Sequence, residues 1–263
     1  MLQAMPSKEG NLQLAEHRQN AAKLFCLLFP VKIQDEFQGL VDAGKVAKDG
    51  DGLLIVINHY SLLDGPAAFM YVASKIPTML DRPWLAPTAR HISDVTKLLN
   101  QMFGTQIDIK PIVTRSTLRK QKFVNHQLND GLFAYLRGAA KTFKDGGIVV
   151  LAPQGTRMPY LKEPGGYDIA MKSLMELTTR MGVNNIGVLP VGLGLSGVKD
   201  YTGYSGLNVR RQHEVIVGPL AMKNSDPDIT TQPDLWAFGQ LKKLVPENYL
   251  KIPPSGVIYS RGN

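Results

Sequence analysis

The sequence predicts an α/β fold with a mostly parallel central sheet flanked by helices and with an N-terminal helical segment. Short apolar runs, of which 53–57 and 148–151 are the clearest, alternate with longer stretches of helical spacing. Strands that alternate with helices over such a length form a parallel sheet covered on both faces. The 263 residues are 44% hydrophobic, which is enough to fill the core of one such domain.

The first half of the chain is predicted as helix, strand, helix and strand. Residues 1–48 are mainly helical in their spacing, and the Gly- and Asp-rich stretch 48–52 turns the chain into a core strand at 53–57. A helix is predicted at 66–75. Residues 104–113 alternate apolar and polar side chains and are predicted as the next strand.

The second half repeats this alternation. Gly146 and Gly147 end a helix and precede a β-branched run. A loop rich in proline and glycine follows that run, and the tail from residue 246 is predicted as irregular. The predicted helices are 117–128, 132–143 and 169–180, and the predicted strands are 148–151, 186–191 and 213–217.

We divide the chain into an N-terminal helical segment, 1–48, and an α/β domain, 49–263. Within the first, residues 17–29 can form an amphipathic helix, which would either lie on a membrane or pack on the domain. No apolar stretch reaches the roughly 18 residues needed to cross a bilayer, and no signal peptide is recognisable. We therefore expect a cytoplasmic protein, peripheral on the cytoplasmic face of the membrane. The apolar side of the amphipathic helix carries Ala21, Leu24, Phe25 and Leu28.

The charge and cysteine content of the sequence limit the classes of partner that we expect. The single cysteine, Cys26, excludes an internal disulfide. Of the net charge of +8, nearly all lies in residues 110–144, with eight basic residues against one acid, Asp130. Such a block forms a solvated helix face or attracts phosphates, an anionic membrane surface or an acidic carrier. It has few interleaved aromatics and no nucleic-acid motif, so we expect no nucleic acid.

The best indication of chemistry is a histidine five positions ahead of an aspartate, His59 and Asp64, directly after the first core strand. Neutral imidazole can take a proton from an alcohol near pH 7, while a carboxylate on its other nitrogen fixes the tautomer and stabilises the cation. A helix would turn the two positions about 140° apart, so they can meet only in a tight loop. Because the spacing also arises by chance, it is weak evidence alone.

A second polar turn, 153–157, follows the strand at 148–151. Gly155 lets a ligand approach the backbone, and Thr156 offers a hydroxyl. Arg157 presents a planar guanidinium that can bind a phosphate through paired hydrogen bonds. An ordinary strand exit has the same composition, so this turn alone leaves anion binding open. Both turns follow the carboxyl ends of predicted strands, which is the edge along which open α/β sheets bind ligands.

Together these residues resemble the glycerolipid acyltransferases, a family that includes the glycerol-3-phosphate and lysophosphatidate (1-acylglycerol-3-phosphate) O-acyltransferases. The resemblance covers roughly residues 53–195 in four blocks, in the family's order. The family's first block reads Asn-His-x-Ser-x-x-Asp and its third reads Phe-Pro-Glu-Gly-Thr-Arg. The matched residues are Asn58, His59, Ser61 and Asp64 in the first block, Arg115 loosely in the second, Pro153, Gly155, Thr156 and Arg157 in the third, and Pro190 and Val191 in the fourth.

The resemblance implies that the α/β domain transfers a fatty acyl group from acyl-CoA or acyl carrier protein to a hydroxyl of a glycerol-phosphate-type acceptor, lysophosphatidate above all, in phospholipid synthesis. His59 would be the general base and Asp64 its orienting partner. No cofactor or metal is implied, because the acyl thioester is a co-substrate. The implied partners are this donor, acyl carrier protein, a phosphorylated glycerolipid and an anionic membrane surface. The implied substrate-binding residues are Asn58, Ser61, Arg115, Gln154, Gly155, Thr156 and Arg157.

One departure from the family leaves the acceptor open. The glutamate of the third block is Gln154 here, and the phenylalanine before its proline is Ala152. Glutamine keeps an acceptor oxygen and adds a donor, but it lacks the negative charge. The alternatives are an acyltransferase for a non-glycerophosphate alcohol, or a catalytically impaired relative that binds lipid or acyl thioester. The presence of both His59 and Asp64 argues against the impaired relative.

Two other enzyme classes fit poorly. Residues 192–197 match G-x-G-x-x-G, but a dinucleotide-binding turn should open a helix, and the residues after it have poor helical periodicity. A serine hydrolase is disfavoured because no G-x-S-x-G elbow is present.

Overall fold

A computed structural model describes residues 8–60, 64, 68–72, 75–89, 97, 100–101, 104–112, 125–154, 158–164, 170–201 and 211–251. Within these residues eight strands form one sheet in the order β1-β7-β6-β2-β5-β3-β4, with β8 paired to β6. β2 to β6 run parallel to one another, whereas β7, β1 and β8 run in the opposite direction to β6. The strands are β1 (Val31–Gln34), β2 (Gly52–Ile57), β3 (Trp84–Ala89), β4 (Ile107–Ile112), β5 (Ile148–Leu151), β6 (Ile186–Leu195), β7 (His213–Val217) and β8 (Ala221–Met222).

Helices connect the strands, and one turn of π-helix, Ala68–Val72, follows the first motif. A π-turn carries one residue more per hydrogen-bonded ring than an α-helix and often occurs beside functional sites. A short 3-10 helix lies at Pro77–Met79. The α-helices are α1 (Lys8–Leu28), α2 (Gly39–Lys48), α3 (Asn125–Lys144), α4 (Ala170–Arg180), α5 (Pro227–Thr231), α6 (Pro233–Leu244) and α7 (Glu247–Leu250).

The helices cover both faces of the sheet. A Cβ at Gly52 would lie 2.8 Å from Phe143 on α3, and a Cβ at Gly187 would lie 3.2 Å from Val46 on α2. Gly187 is paired in register with Leu53, the neighbour of Gly52, and successive strand residues point to opposite faces. α3 and α2 therefore lie on opposite faces. This double cover explains why β2, β5 and β6 are buried along their whole lengths and read as continuous apolar runs.

The predicted fold class is confirmed: the central sheet is mostly parallel and helices flank it. The strands predicted at 148–151 and 213–217 have the predicted bounds, and that predicted at 53–57 begins one residue earlier, at Gly52. The predicted helix at 169–180 corresponds to α4, which begins at Ala170. The carboxyl ends of β2 and β5 lie side by side at one edge of the sheet, with Val56 paired to Leu151.

The structure differs from the sequence prediction in several elements, among them the tail, where α7 lies in a stretch predicted as irregular. The N-terminal segment is not wholly helical, because β1 pairs with β7 and so adds a strand to the sheet. β3 was not predicted. The helical stretch predicted at 132–143 is part of one helix, α3, which begins at Asn125, while most of the stretch predicted at 117–128 lies outside the described residues. The boundary at residue 48 stays a prediction.

β6 also differs from its prediction, since it continues to Leu195 rather than ending at Val191. Gly192 and Gly194, the first two glycines of the G-x-G-x-x-G match, therefore lie inside a strand paired to β7. A Cβ at Gly192 would meet the backbone of Leu244 at 2.6 Å. This glycine is needed where the end of α6 packs against the sheet, and no dinucleotide turn forms there.

A buried arginine attaches the middle of α1 to the sheet. The guanidinium of Arg18 donates hydrogen bonds to the carbonyl oxygens of Thr105, Leu80 and Arg82, at 2.8, 2.7 and 2.5 Å. It also lies 4.2 Å from the ring centroid of Trp84. These residues lie before or at the start of β3 and β4, so the middle of α1 lies at the amino ends of those strands.

None of the helices in the described part of the chain combines the length and the apolar character needed to cross a membrane.

Candidate active site

His59 and Asp64 meet where β2 ends. Nδ1 of His59 lies 3.0 Å from Oδ2 of Asp64, and the same carboxylate oxygen accepts the peptide N–H of Tyr60 at 2.5 Å. The side chain of Asp64 is 2% exposed and that of His59 is 28% exposed. A buried carboxylate that accepts Nδ1–H leaves the lone pair on Nε2. The geometry therefore favours the tautomer in which Nε2 of His59 is free to accept a proton from a bound ligand.

Asn58 braces the loop against the neighbouring strand. Its side-chain oxygen accepts the peptide N–H of Leu193 at 2.7 Å, and its side-chain nitrogen donates to the carbonyl oxygen of Leu193 at 2.9 Å. Asn58 is fully buried. The two bonds extend the contact between β2 and β6 one residue beyond Ile57, so the residue before His59 is held at both ends of its amide.

Gln154, within the third block, and Met158, directly after it, both bond the backbone of His59. The side-chain oxygen of Gln154 accepts the peptide N–H of His59 at 3.0 Å, and its side-chain nitrogen donates to the carbonyl oxygen of Tyr160 at 3.1 Å. The peptide N–H of Met158 donates to the carbonyl oxygen of His59 at 2.8 Å. The structure thus brings the first and third sequence blocks together, as their positions after β2 and β5 predict.

Three buried tyrosines pack beneath this site, and sequence reasoning assigned none of them a role. The rings of Tyr60, Tyr201 and Tyr249 contact one another edge to face, with centroids 4.9 to 5.9 Å apart. The hydroxyl of Tyr249 donates to the carbonyl oxygen of Met158 at 3.0 Å. Tyr249 lies on α7, some 190 residues from His59 in sequence, so only the fold reveals the contact.

Burial keeps these hydroxyls protonated. It raises the pKa of Tyr201 to about 12, and burial followed by the nearby Asp64 carboxylate raises the pKa of Tyr60 and of Tyr249 well above the ordinary range. All three tyrosines therefore stay neutral across the pH range in which an enzyme works. Tyr60 donates to the carbonyl oxygen of Gly194 at 3.1 Å, which ties the site to β6 as well.

The remaining predicted site residues, Ser61, Arg115, Gly155, Thr156 and Arg157, lie outside the described residues. Of the predicted set, the structure therefore brings together His59, Asp64, Asn58 and Gln154. Within the described ranges no group of three or more His, Cys, Asp or Glu side chains is arranged to hold a metal ion. The chemistry that this arrangement supports is proton removal by an imidazole whose far nitrogen is held by a buried carboxylate.

The fold and these residues define an α/β protein with a paired histidine and aspartate at the carboxyl edge of its sheet. No protein-family model matches the chain, and no curated protein sequence matches it. Among solved structures it is similar to the crystal structure of the 1-acyl-sn-glycerophosphate (LPA) acyltransferase PlsC from Thermotoga maritima. The two are 14% identical, with a TM-score of 0.51, over 92% of this chain and 80% of that one. The chain therefore shares the fold of that protein.

Proposed function

We propose that the protein is an O-acyltransferase that moves a fatty acyl group from an acyl thioester to a hydroxyl of a glycerol-phosphate-type acceptor, with lysophosphatidate as the first acceptor to test. The donor is acyl-CoA or acyl carrier protein, and the product feeds phospholipid synthesis. The observation that carries the proposal is the 3.0 Å contact between His59 Nδ1 and Asp64 Oδ2, on the fold of an acyltransferase.

The reaction follows from the tautomer that this contact favours. Nε2 of His59 takes the proton of the acceptor hydroxyl while the hydroxyl oxygen attacks the thioester carbonyl carbon. The new C–O bond forms and the C–S bond breaks. The leaving thiolate then takes the proton from the imidazolium, which returns His59 to its neutral form. The Asp64 carboxylate, buried and unable to rotate into solvent, stabilises the transient imidazolium.

We assign the acceptor phosphate to Arg157 and Arg115, with Gly155 and Thr156 shaping the turn and Ser61 as a further substrate-binding residue. Chain connectivity supports Arg157. It directly precedes Met158 in the sequence, and the peptide nitrogen of Met158 lies 2.8 Å from the carbonyl oxygen of His59. A guanidinium suits this task because its paired N–H groups match the geometry of a phosphate.

We also propose that the end of α1 meets an anionic membrane surface. Leu24, Leu27 and Leu28 on this helix are 41%, 79% and 53% exposed. An open groove of about 650 Å³ lies beside them, between α1, β1 and the π-helix, and Lys23 and Lys75 line it. Apolar side chains flanked by ammonium groups suit the boundary between lipid headgroups and acyl chains.

The sheet topology supports this proposal, because the end of α1 and His59 lie at the same edge of the sheet. Val31, three residues after α1, pairs with His213, and His213 pairs with Leu195 at the carboxyl end of β6. The His59 loop is tied to the same end of β6 through Leu193. A lipid substrate leaving the bilayer at α1 would therefore arrive at the edge of the sheet where proton removal occurs.

The test is a thiol-release assay on the purified protein. It crosses acyl-CoA and acyl-carrier-protein donors with lysophosphatidate, glycerol-3-phosphate and a phosphate-free monoacylglycerol. We expect lysophosphatidate to accelerate thiol release and to become acylated. Acceleration by the phosphate-free acceptor alone would favour the non-glycerophosphate alternative. Binding of donor or lipid without any acceptor-dependent release would favour the impaired relative and end the proposal.

A further inference from the structure

The geometry points to Gln154 and Tyr249 as positioning residues for His59. Gln154 holds the peptide nitrogen of the base, and Tyr249 fixes the loop that holds its carbonyl oxygen. Neither of the two selects the acceptor. This inference rests on the proposed function, because positioning of His59 affects a rate only if His59 is the base.

Gln154 uses both ends of its side chain within the protein. Its oxygen accepts from His59 N at 3.0 Å and its nitrogen donates to Tyr160 O at 3.1 Å, and the residue is 7% exposed. The reversed amide would set a nitrogen donor against an N–H and an oxygen against a carbonyl, so only one orientation satisfies both partners. The donor that glutamine has and glutamate lacks is the one that Tyr160 requires.

The departure from the family's third block therefore has a local explanation. A carboxylate at position 154 could still accept from the peptide N–H of His59, but its second oxygen would face the carbonyl oxygen of Tyr160. Repulsion between these two oxygens would displace the side chain, the loop at 158–160 or both. Gln154 is thus matched to this chain's own loop and says nothing about the charge of the acceptor.

Tyr249, on α7, forms hydrogen bonds with the loop at 158–161. Its hydroxyl has one proton, and the nearest acceptor is the carbonyl oxygen of Met158 at 3.0 Å, with His59 O at 3.3 Å and Gln154 Oε1 at 3.5 Å. Its own carbonyl oxygen accepts the peptide N–H of Leu161 at 2.8 Å. Met158 in turn donates to His59 O. In the described structure, the peptide N–H of His59 therefore bonds Gln154, and its carbonyl oxygen bonds the loop that Tyr249 holds.

Small displacements of a base reduce the rate strongly. A shift of about 1 Å in a reacting group can lower turnover by roughly 10²-fold, because proton transfer needs a heavy-atom distance of about 3 Å. Loosening the His59 backbone should thus lower kcat while KM for donor and acceptor stays nearly constant. A residue that bound the acceptor would instead change KM, and would change it differently for phosphorylated and phosphate-free acceptors.

The test uses Gln154→Glu, Gln154→Met and Tyr249→Phe, with Tyr135→Phe as the matched control. Tyr135 is 2% exposed, and its hydroxyl donates to the carbonyl oxygen of Val150 at 2.9 Å, away from His59. Both tyrosine variants lose one buried hydroxyl bond of the same kind. We expect Tyr249→Phe and Gln154→Glu to lower kcat about tenfold on every active acceptor with KM within about twofold, while Tyr135→Phe leaves kcat unchanged.

A second readout is independent of activity. Amide hydrogen exchange at His59 and Met158 should become faster in Gln154→Met and Tyr249→Phe, and not in Tyr135→Phe, because only the first two loosen the hydrogen bonds around the base. Unchanged exchange at His59 in Gln154→Met would overturn the positioning role, and so would a rise of kcat in Gln154→Glu. A wild-type protein without acyl transfer would overturn the proposed function alone, and the exchange rates would still decide the positioning role.

Discussion

At the scale of single residues, the site depends on one carboxylate with two partners. Asp64 accepts both the Nδ1–H of His59 and the peptide N–H of Tyr60, so it fixes the ring and the turn that carries the ring. The 28% exposure of His59 against 2% for Asp64 separates their roles: one side chain can meet a substrate and the other cannot. The two residues therefore act as one unit, and single substitutions at them should not add.

The first prediction follows from that unit. His59→Ala should lower kcat for acyl transfer by about 10²- to 10⁴-fold with little change in KM, since a positioned base contributes about that much. Asp64→Asn should lower kcat as well, because an amide can donate to Nδ1 and would favour the wrong tautomer. Steady-state kinetics with saturating donor measure both. Acyl transfer by His59→Ala at the wild-type rate would remove the mechanism.

The second prediction concerns Arg157, whose neighbour Met158 bonds His59. Arg157→Ala should raise KM for a phosphorylated acceptor by about 10- to 150-fold, since a hydrogen bond to a charged group contributes roughly 1.5 to 3 kcal/mol. Arg157→Lys should recover only part of this, because an ammonium cannot form the paired bonds of a guanidinium. The comparison acceptor is a phosphate-free monoacylglycerol. A larger effect on that acceptor than on the phosphorylated one would contradict the assignment.

At the scale of elements, the sequence was sufficient where a strand has a clear apolar pattern and insufficient where that pattern is missing. β2 and β5 are covered on both faces, so they appear as unbroken apolar runs. β1 has four residues and lies at the outer end of the sheet order, and β3 contains Pro87, so neither shows a clear pattern. Gln154 was found through its place after β5. Tyr249 could not be predicted as a site residue, because no local signal in the sequence links it to His59, 190 residues earlier in the chain.

The third prediction tests how α1 is attached to the sheet. Arg18→Met keeps an apolar stem but leaves the carbonyl oxygens of Leu80 and Thr105 without their donor, and buried unpaired groups of this kind lower stability by about 1 to 3 kcal/mol each. The midpoint of urea unfolding should fall accordingly. Arg137→Met, at an exposed position on α3, is the control and should stay within about 0.5 kcal/mol of wild type. Equal midpoints for the two variants would contradict the role of Arg18.

At the scale of the whole molecule, one edge of the sheet combines the proposed base, His59, with an exposed apolar surface. The chain reaches this edge at the ends of β2 and β6 and again between α1 and β1. The amino ends of β3 and β4 are occupied instead by the structural contacts of Arg18. The edge where we propose that substrate binds is therefore the opposite one from the edge that Arg18 stabilises, and open α/β sheets usually bind ligands at the carboxyl ends of their strands.

The last prediction tests whether the exposed end of α1 is a membrane contact. Leu27 is 79% exposed, so Leu27→Asp should leave the fold intact while placing a charge where we propose acyl chains to be. Binding to vesicles that contain anionic lipid, measured by sedimentation, should fall at least about fivefold, since an aspartate both removes apolar area and repels the surface. Val41→Asp is the matched control, because Val41 is 55% exposed but lies on α2, which leads toward the amino end of β2. If both variants bind vesicles as tightly as the wild type, α1 is not the contact; if both lose binding equally, the loss reflects added charge alone. Loss in Leu27→Asp alone, with acyl transfer to a short-chain water-soluble acceptor unchanged, would show that this end of the helix brings the edge of the sheet to the lipid and that the chemistry at His59 is separate from it.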